Sequence, residues 1–278
     1  LDLKNPSKKQ VDIRVERKLF MKNDRKIPLI LSAVALSILI GLILCVKINP
    51  LWFKKIDSAI YTTFTWPQNQ IITMIVRYFA KLATIGPTLG LAFFFAIYVW
   101  KKNYHLLALW NVFNIFAVSG AGYILKNVIA RTRPDVWQVE TRTSYSFPSG
   151  HSLLAFAFFL SVILSLSFLW DRRKVRRIAL ILTGYPLLIA CTRIYLRVHY
   201  PSDILAGFAL SALVVFLSYV GCISFIPTVF QVKSNPRKKQ HPLFTKKQKI
   251  ILVLLSLVFV IILTRVIYEL GVYSHFFG

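Results

Sequence analysis

Blocks of about twenty mostly apolar residues recur along this chain, and hydrocarbon admits such a block only if its backbone closes its own hydrogen bonds. Seven blocks are candidate spans, at roughly 27–46, 85–100, 104–126, 150–170, 177–196, 203–226 and 249–270. Of the 278 residues, 56% are apolar, and their gathering into blocks excludes an ordinary soluble domain. The expected fold is all-α: a polytopic helical membrane bundle with a six-span core over 27–226 and a seventh, C-terminal span within 249–278. The block at 85–100 is the shortest and is expected to begin upstream of Gly86-Pro87.

The formal net charge of +25 sits in short stretches between the blocks. A nucleic-acid partner is excluded on that ground, because such proteins carry their charge on a polar surface. The charge instead orients the chain. With the N-terminus in the cytoplasm, the inside segments are a basic N-terminus (1–26), the Lys101-Lys102 turn, the 171–177 loop and a basic loop (227–248) with its edges. These hold about 23 of the 35 Lys and Arg residues, against about 11 outside, which is the positive-inside pattern. The same basic runs suit anionic lipid heads, with topology the simpler account. The first 26 residues are too polar for a signal peptide, so the first block reads as an uncleaved span. Cys45, Cys191 and Cys222 lie in apolar stretches without metal-ligand spacing and read as buried small residues.

Residues 47–84 fall outside under this topology. Within them Ile71, Ile72, Ile75, Tyr78, Phe79 and Leu82 recur at helical spacing, with Asn69, Gln70, Thr73, Arg77 and Lys81 between them. That pattern predicts a helix on the outer membrane surface. Arg265 and Glu269, four apart, are expected to pair in the last span. Asp57 shows no partner in the sequence.

The outside segments should be poor in cations, yet Lys126, Arg131, Arg133, Arg142, Arg193 and Arg197 cluster around two of them. Charges beside hydrocarbon need a partner, and Asp135, Glu140 and Asp203 are too few to serve all six. The missing anion is then a ligand. Lys126 and Arg133 are seven apart, so a helix would present both on one face until Pro134 stops it. Ser149 suits an N-cap, Gly150 allows close approach of a ligand, and His151 would face an anion at that helix N-terminus. His199 precedes Asp203 by four residues, a spacing that lets the carboxylate fix the imidazole tautomer and leave the other nitrogen free to attack. Each stretch alone also suits a span anchor, a capped helix or a satisfied histidine. Under the topology above all three meet the same outer face, in the order phosphoryl transfer through a phosphohistidine requires.

At these residues the sequence resembles the type 2 phosphatidic acid phosphatase family, whose signature is Lys-x6-Arg-Pro, Pro-Ser-Gly-His and Ser-Arg-x5-His-x3-Asp. Lys126 to Arg133-Pro134, then Pro148-Ser149-Gly150-His151, then Arg193, His199 and Asp203 stand at the matching spacings, with Thr192 where the family usually has Ser. The signature spans 126–203, and the apolar pattern is similar over about 27–226. The resemblance implies that His199 is the nucleophile, oriented by Asp203, and that His151 protonates the leaving oxygen and then activates water. It also implies phosphate binding by Lys126, Arg133 and Arg193, helped by the Ser149 side chain and the Gly150 backbone.

The function so implied is hydrolysis of a membrane lipid mono- or diphosphate, of the undecaprenyl diphosphate, phosphatidylglycerol phosphate or phosphatidic acid type. The site would lie on the outer face of a bacterial plasma membrane. No cofactor is implied. A metal held by His151, His199 and Asp203 is disfavoured, since nearby cations would repel a divalent ion. A serine hydrolase using Ser149 lacks the Gly-x-Ser-x-Gly elbow. A phosphotransferase would use the same residues, and a lipid-binding or transport protein would need the cations but not the His199–Asp203 pair. The sequence does not specify the oligomeric state.

Overall fold

Eight helices follow one another in the computed structural model, which describes residues 25–63, 69–134 and 144–233. The N-terminal segment, Arg142, the basic loop from 234 and the seventh block lie outside the described residues. The helices are α1 (Lys26–Ile48), α2 (Leu51–Thr63), α3 (Gln70–Lys81), α4 (Ile85–Lys101), α5 (His105–Ile129), α6 (Gly150–Leu169), α7 (Arg172–Tyr195) and α8 (Pro201–Lys233). No strand occurs among the described residues, so the all-α expectation holds.

Among the described residues, five helices are long and apolar enough to cross a membrane: α1, α5, α6, α7 and the 201–224 part of α8. The chain is a multi-pass membrane protein. The block at 85–100 is a 17-residue helix that begins at Ile85, directly ahead of Gly86-Pro87. Pro87 lies in its first turn, where a missing N–H costs no helix bond. Upstream, the chain bends by 53° into α3, and counting that bent pair as one span gives six.

The centre of the bundle is α5, α6 and α8, each packed on the other two. Around them α7 lies on α6, α4 on α5 and α6, and α1 along α8. The apolar core contains Leu107, Trp110, Ile115, Val118, Leu153, Ala157, Ala206 and Val215. Burial alone does not align helices in lipid, since tails are as apolar as leucine, so polar bonds and small residues fix the register. The Asn111 amide donates to Ser165 at 2.7 Å and the Asn114 amide to Ser161 at 3.1 Å, joining α5 to α6. Ser218 donates to Asn114 at 2.7 Å and Trp110 to Ser218 at 3.0 Å, joining α5 to α8. At Gly122 an added Cβ would lie 2.9 Å from the Leu153 side chain, so glycine permits the close approach of α5 and α6.

The amphipathic helix expected in 47–84 is α3. Asn69 caps it, accepting from the Ile71 and Ile72 amides at 2.9 and 3.2 Å. Thr73 and Ala80 are buried against the protein, and the Thr73 and Tyr195 hydroxyls lie 3.0 Å apart. Ile71, Ile72, Ile75 and Tyr78 are exposed, so the apolar face points away from the bundle. An outward apolar face is what a helix lying in a membrane interface presents.

Candidate active site

Two of the three signature stretches are welded together by backbone contacts. Ser149 is extended, and the first bond of α6 runs from the Leu153 amide to its carbonyl at 3.0 Å. The amides ahead of Leu153 therefore have no intrahelical acceptor. The Ser149 amide itself donates to the Asp203 carbonyl at 2.9 Å. Gly207, one turn along α8, passes so close that a Cβ there would lie 2.9 Å from the Ser149 carbonyl oxygen. Ser211 adds a third link, donating to the Leu153 carbonyl at 2.6 Å. Ser149 occupies the N-cap as expected, but its side chain does not cap the helix. Its buried hydroxyl lies 3.0 Å from that of Ser152. His151 is the second residue of α6 and half-buried.

The end of α7 sets the place of His199. Arg193, in the last turn, is almost fully buried. Arg197 then adopts a left-handed backbone with φ of 56°, and the Val198 amide returns to the Arg193 carbonyl at 3.3 Å. This helix-ending turn sends Val198 and His199 back over the bundle. Thr192, the one departure from the signature, spends its hydroxyl on the Ile189 carbonyl at 2.6 Å. His199 is buried, and its Nδ1 lies 3.5 Å from Asp203 Oδ2.

The expectation that Lys126 and Arg133 share a helix face is corrected. Helix α5 stops at Ile129, where Ala130 turns left-handed with φ of 52°, four residues before Pro134. Arg133 therefore sits on a non-helical segment beside residues 144–146. The Ser146 amide donates to the Arg131 carbonyl at 2.8 Å, and Arg133 Nε to the Ser144 carbonyl at 2.7 Å. The two cations still converge: Lys126 Nζ and Arg133 Nη2 both donate to the Tyr145 carbonyl, at 2.6 and 3.3 Å. Arg133 Nη1 donates to the Val198 carbonyl and lies 3.4 Å from His199 Nε2. The imidazole thus has a carboxylate beside one nitrogen and a guanidinium beside the other. A proton on Nδ1 suits both neighbours, because Nε2 is then the acceptor.

Sequence reasoning missed two residues here. Asp57, which showed no partner, is buried and accepts from Arg131 Nη2 at 2.6 Å and from the Ser202 amide at 3.1 Å. Arg131, which matches no signature position and reads from the sequence as a headgroup contact, instead donates to Asp203 Oδ1 as well, at 2.7 Å. No spacing rule links positions so far apart in the chain. The hint was the surplus of cations over visible carboxylates.

Electrostatics follow from burial and these neighbours. Burial first, then Arg133, Arg193 and Lys126, hold the His199 pKa well below its ordinary value, with the Ser146 backbone acting against them. His199 is therefore neutral near pH 7. For Arg131, burial opposes the charge, but Asp203 and Asp57 more than offset it and the pKa is raised. A cavity of about 170 Å³ between α5 and α6 is lined by Lys126 and Gly150 together with Gly122, Tyr123, Leu153 and Leu154. A cation and a helix N-terminus there adjoin apolar walls. This cavity can take an anion at Lys126 with an apolar group attached.

Comparison with known proteins gives a family match and several relatives. Residues 106–224 match the family model described as the PAP2 superfamily. Phosphatidylglycerophosphatase B of Bacillus subtilis is 38% identical over 100 residues, 34% of this chain and 47% of that protein. Undecaprenyl-diphosphatase of Sulfolobus acidocaldarius is 25% identical over 148 residues, 53% of this chain and 60% of that protein. Lipid A 1-phosphatase of Rhizobium johnstonii is 35% identical over 99 residues, 32% of this chain and 37% of that protein. The chain thus spans about half the length of the curated relatives it matches. Among solved structures, a transmembrane PAP2-type phosphatidylglycerolphosphate phosphatase from Bacillus subtilis superposes with a TM-score of 0.52 at 22% identity. That match covers 76% of this chain and 98% of the other, and it speaks to the fold.

Proposed function

Residues 106–224 of this chain belong to the PAP2 superfamily, and from that premise we propose that the protein hydrolyses the phosphate of a membrane lipid through a phosphohistidine at His199. The observation that carries the reading is the setting of His199. Asp203 lies 3.5 Å from Nδ1 and Arg133 lies 3.4 Å from Nε2. A neutral imidazole so placed has its lone pair directed to where a cation would hold a phosphoryl group.

The chemistry then runs in two steps. His199 Nε2 attacks phosphorus, the bond from phosphorus to the lipid oxygen breaks, and His151 gives that oxygen a proton. His151 next takes a proton from water, the water oxygen attacks the phosphohistidine, and the P–N bond breaks to release phosphate. Lys126, Arg133 and Arg193 neutralise the equatorial oxygens throughout, with the Gly150 amide and the Ser149 residue at the start of α6 beside them. Cations carry the charge stabilisation, so the reaction needs no metal.

The substrate class is a lipid mono- or diphosphate. The curated relatives are named for different lipids, which share a phosphate on a large apolar group. The cavity supports the same class, since it joins Lys126 to apolar side chains. The distribution of Lys and Arg supports a site on the outer face of a plasma membrane.

Phosphate release from a panel of lipid mono- and diphosphates in EDTA, with wild type and His199→Ala compared, tests the reading. Release by wild type and its loss in His199→Ala are expected, with acid-labile phosphate trapped on wild-type protein. Activity that EDTA abolishes and zinc restores would overturn the metal-free chemistry. Phosphate arriving on a second lipid instead of in water would make the protein a phosphotransferase. Binding without turnover would make it a lipid carrier.

A further inference from the structure

We propose that Arg131 is a positioning residue for this reaction and that Asp57 of α2 completes its hold on Asp203, an inference that rests on the phosphatase reading above. Arg131 Nη1 donates to Asp203 Oδ1 at 2.7 Å. The other oxygen, Oδ2, accepts from the Tyr200 amide at 2.9 Å and faces His199 Nδ1. The carboxylate is thus gripped on one side and presents its other side to the imidazole. Arg131 also lies 4.0 Å from the Tyr200 ring centroid, so it clamps the residue that follows His199.

The second half of the guanidinium reaches outside the family match, which covers 106–224. Nη2 donates to Asp57 Oδ2 at 2.6 Å. Asp57 is 4% exposed and also accepts from Ser202, through both its amide and its hydroxyl. Ser202 in turn accepts from Arg131 Nη1 at 2.7 Å. Two carboxylates and a hydroxyl therefore close a ring around one guanidinium between α2, the segment after α5 and the start of α8. Both Nη groups of Arg131 thus face the two carboxylates and the Ser202 hydroxyl, whereas Nη1 of Arg133 lies 3.4 Å from His199 Nε2, the nitrogen on the reacting side. A planar fork makes this bridge, and a lysine point charge does not.

Groups that orient a catalytic histidine from behind act as a unit with it, so their losses do not add. Purified Arg131→Gln, Arg131→Lys and Asp57→Asn, each alone and combined with Asp203→Asn, test this. The readouts are kcat and KM for lipid phosphate release, above the floor set by His199→Ala. Thermal melts report folding. Arg131→Gln is expected to lower kcat about 10- to 100-fold, as for partners behind a ligating histidine, with KM little changed. Arg131→Lys should recover only part of that loss. Asp57→Asn is expected to show a smaller fall in kcat. In the Asp203→Asn background each of these losses should vanish.

Wild-type kcat in Arg131→Gln would overturn the proposal, as would losses that multiply fully with Asp203→Asn. If Arg131→Gln does not fold, Asp57→Asn and Arg131→Lys carry the same comparison. Failure of all three to fold would make the ring a structural brace and overturn the positioning role. Absence of phosphate release by wild type is a different failure, since it removes the phosphatase reading itself.

Discussion

In the proposed reaction, the charge state of His199 decides when it can attack. Burial and three cations all disfavour the imidazolium, so the competent neutral form persists as pH falls below the ordinary histidine range. The acid limb of the kcat/KM profile, which reports the free enzyme, is expected below about pH 6.5. Lys126→Met removes one of the depressing charges and should move that limb upward even as it slows turnover. A limb at or above the ordinary value in wild type would mean that the cations do not act on His199. Arg197 gives a second residue-scale expectation. Its left-handed backbone costs a non-glycine residue about 1–2 kcal/mol, and glycine returns about 0.4–1 kcal/mol through the unfolded chain. Arg197→Gly should therefore raise thermal stability by roughly 0.5–1 kcal/mol, while Arg197→Ala changes it little. Were the guanidinium instead a headgroup contact, both variants would raise KM together.

Between elements, the proposed active site depends on how closely α8 approaches the start of α6. At Gly207 even one methyl group would press on the Ser149 carbonyl and, at 3.2 Å, on the Leu153 amide, both backbone atoms that cannot swing aside. Gly207→Ala is expected to destabilise the protein by about 1–3 kcal/mol, the usual cost of overpacking, and to lower kcat by moving Ser149, Gly150 and His151 together. A variant with unchanged melting and turnover would show that the helices part freely. For α3, a tryptophan at position 75 on the exposed face should be quenched by brominated lipids at shallow depth, and strong quenching at the bilayer centre would contradict an interfacial placement. The helices themselves were legible because the hydrocarbon imposes their length. The periodicity of α3 was legible for the same kind of reason, since one face meets lipid and the other protein. The end of α5 was not, because the chain leaves the helix at Ala130, a residue with no breaker signal, rather than at Pro134. The ring around Arg131 was not legible either, because Asp57 and Asp203 meet only after α2 docks on α8.

Across the whole molecule, the chain alternates so that the ends carrying Lys126, His151, Arg193 and His199 come together. The opposite helix ends carry Lys101, Lys102, Arg172, Arg173, Arg176 and Arg177. Both ends are basic, but for different reasons. At the first, the cations surround a buried histidine and lie against carbonyls. At the second, Arg172, Arg173 and Lys174 are exposed in the first turn of α7, a position where the helix dipole disfavours positive charge. In the proposed orientation that end faces the cytoplasm, where a membrane potential and anionic lipids would compensate for that. The proposed outward site follows from this contrast and is open to direct test. In a background with Cys45, Cys191 and Cys222 replaced, single cysteines at exposed Lys55 and Arg173 report the two ends without touching the site. A membrane-impermeant maleimide is expected to label Lys55→Cys in intact cells and Arg173→Cys only after the membrane is opened. The reverse pattern would turn the site inward, and the lipid supply would then have to come from the cytoplasmic leaflet. Labelling of both in intact cells, with lysis excluded, would mean that the basic runs do not fix the orientation at all.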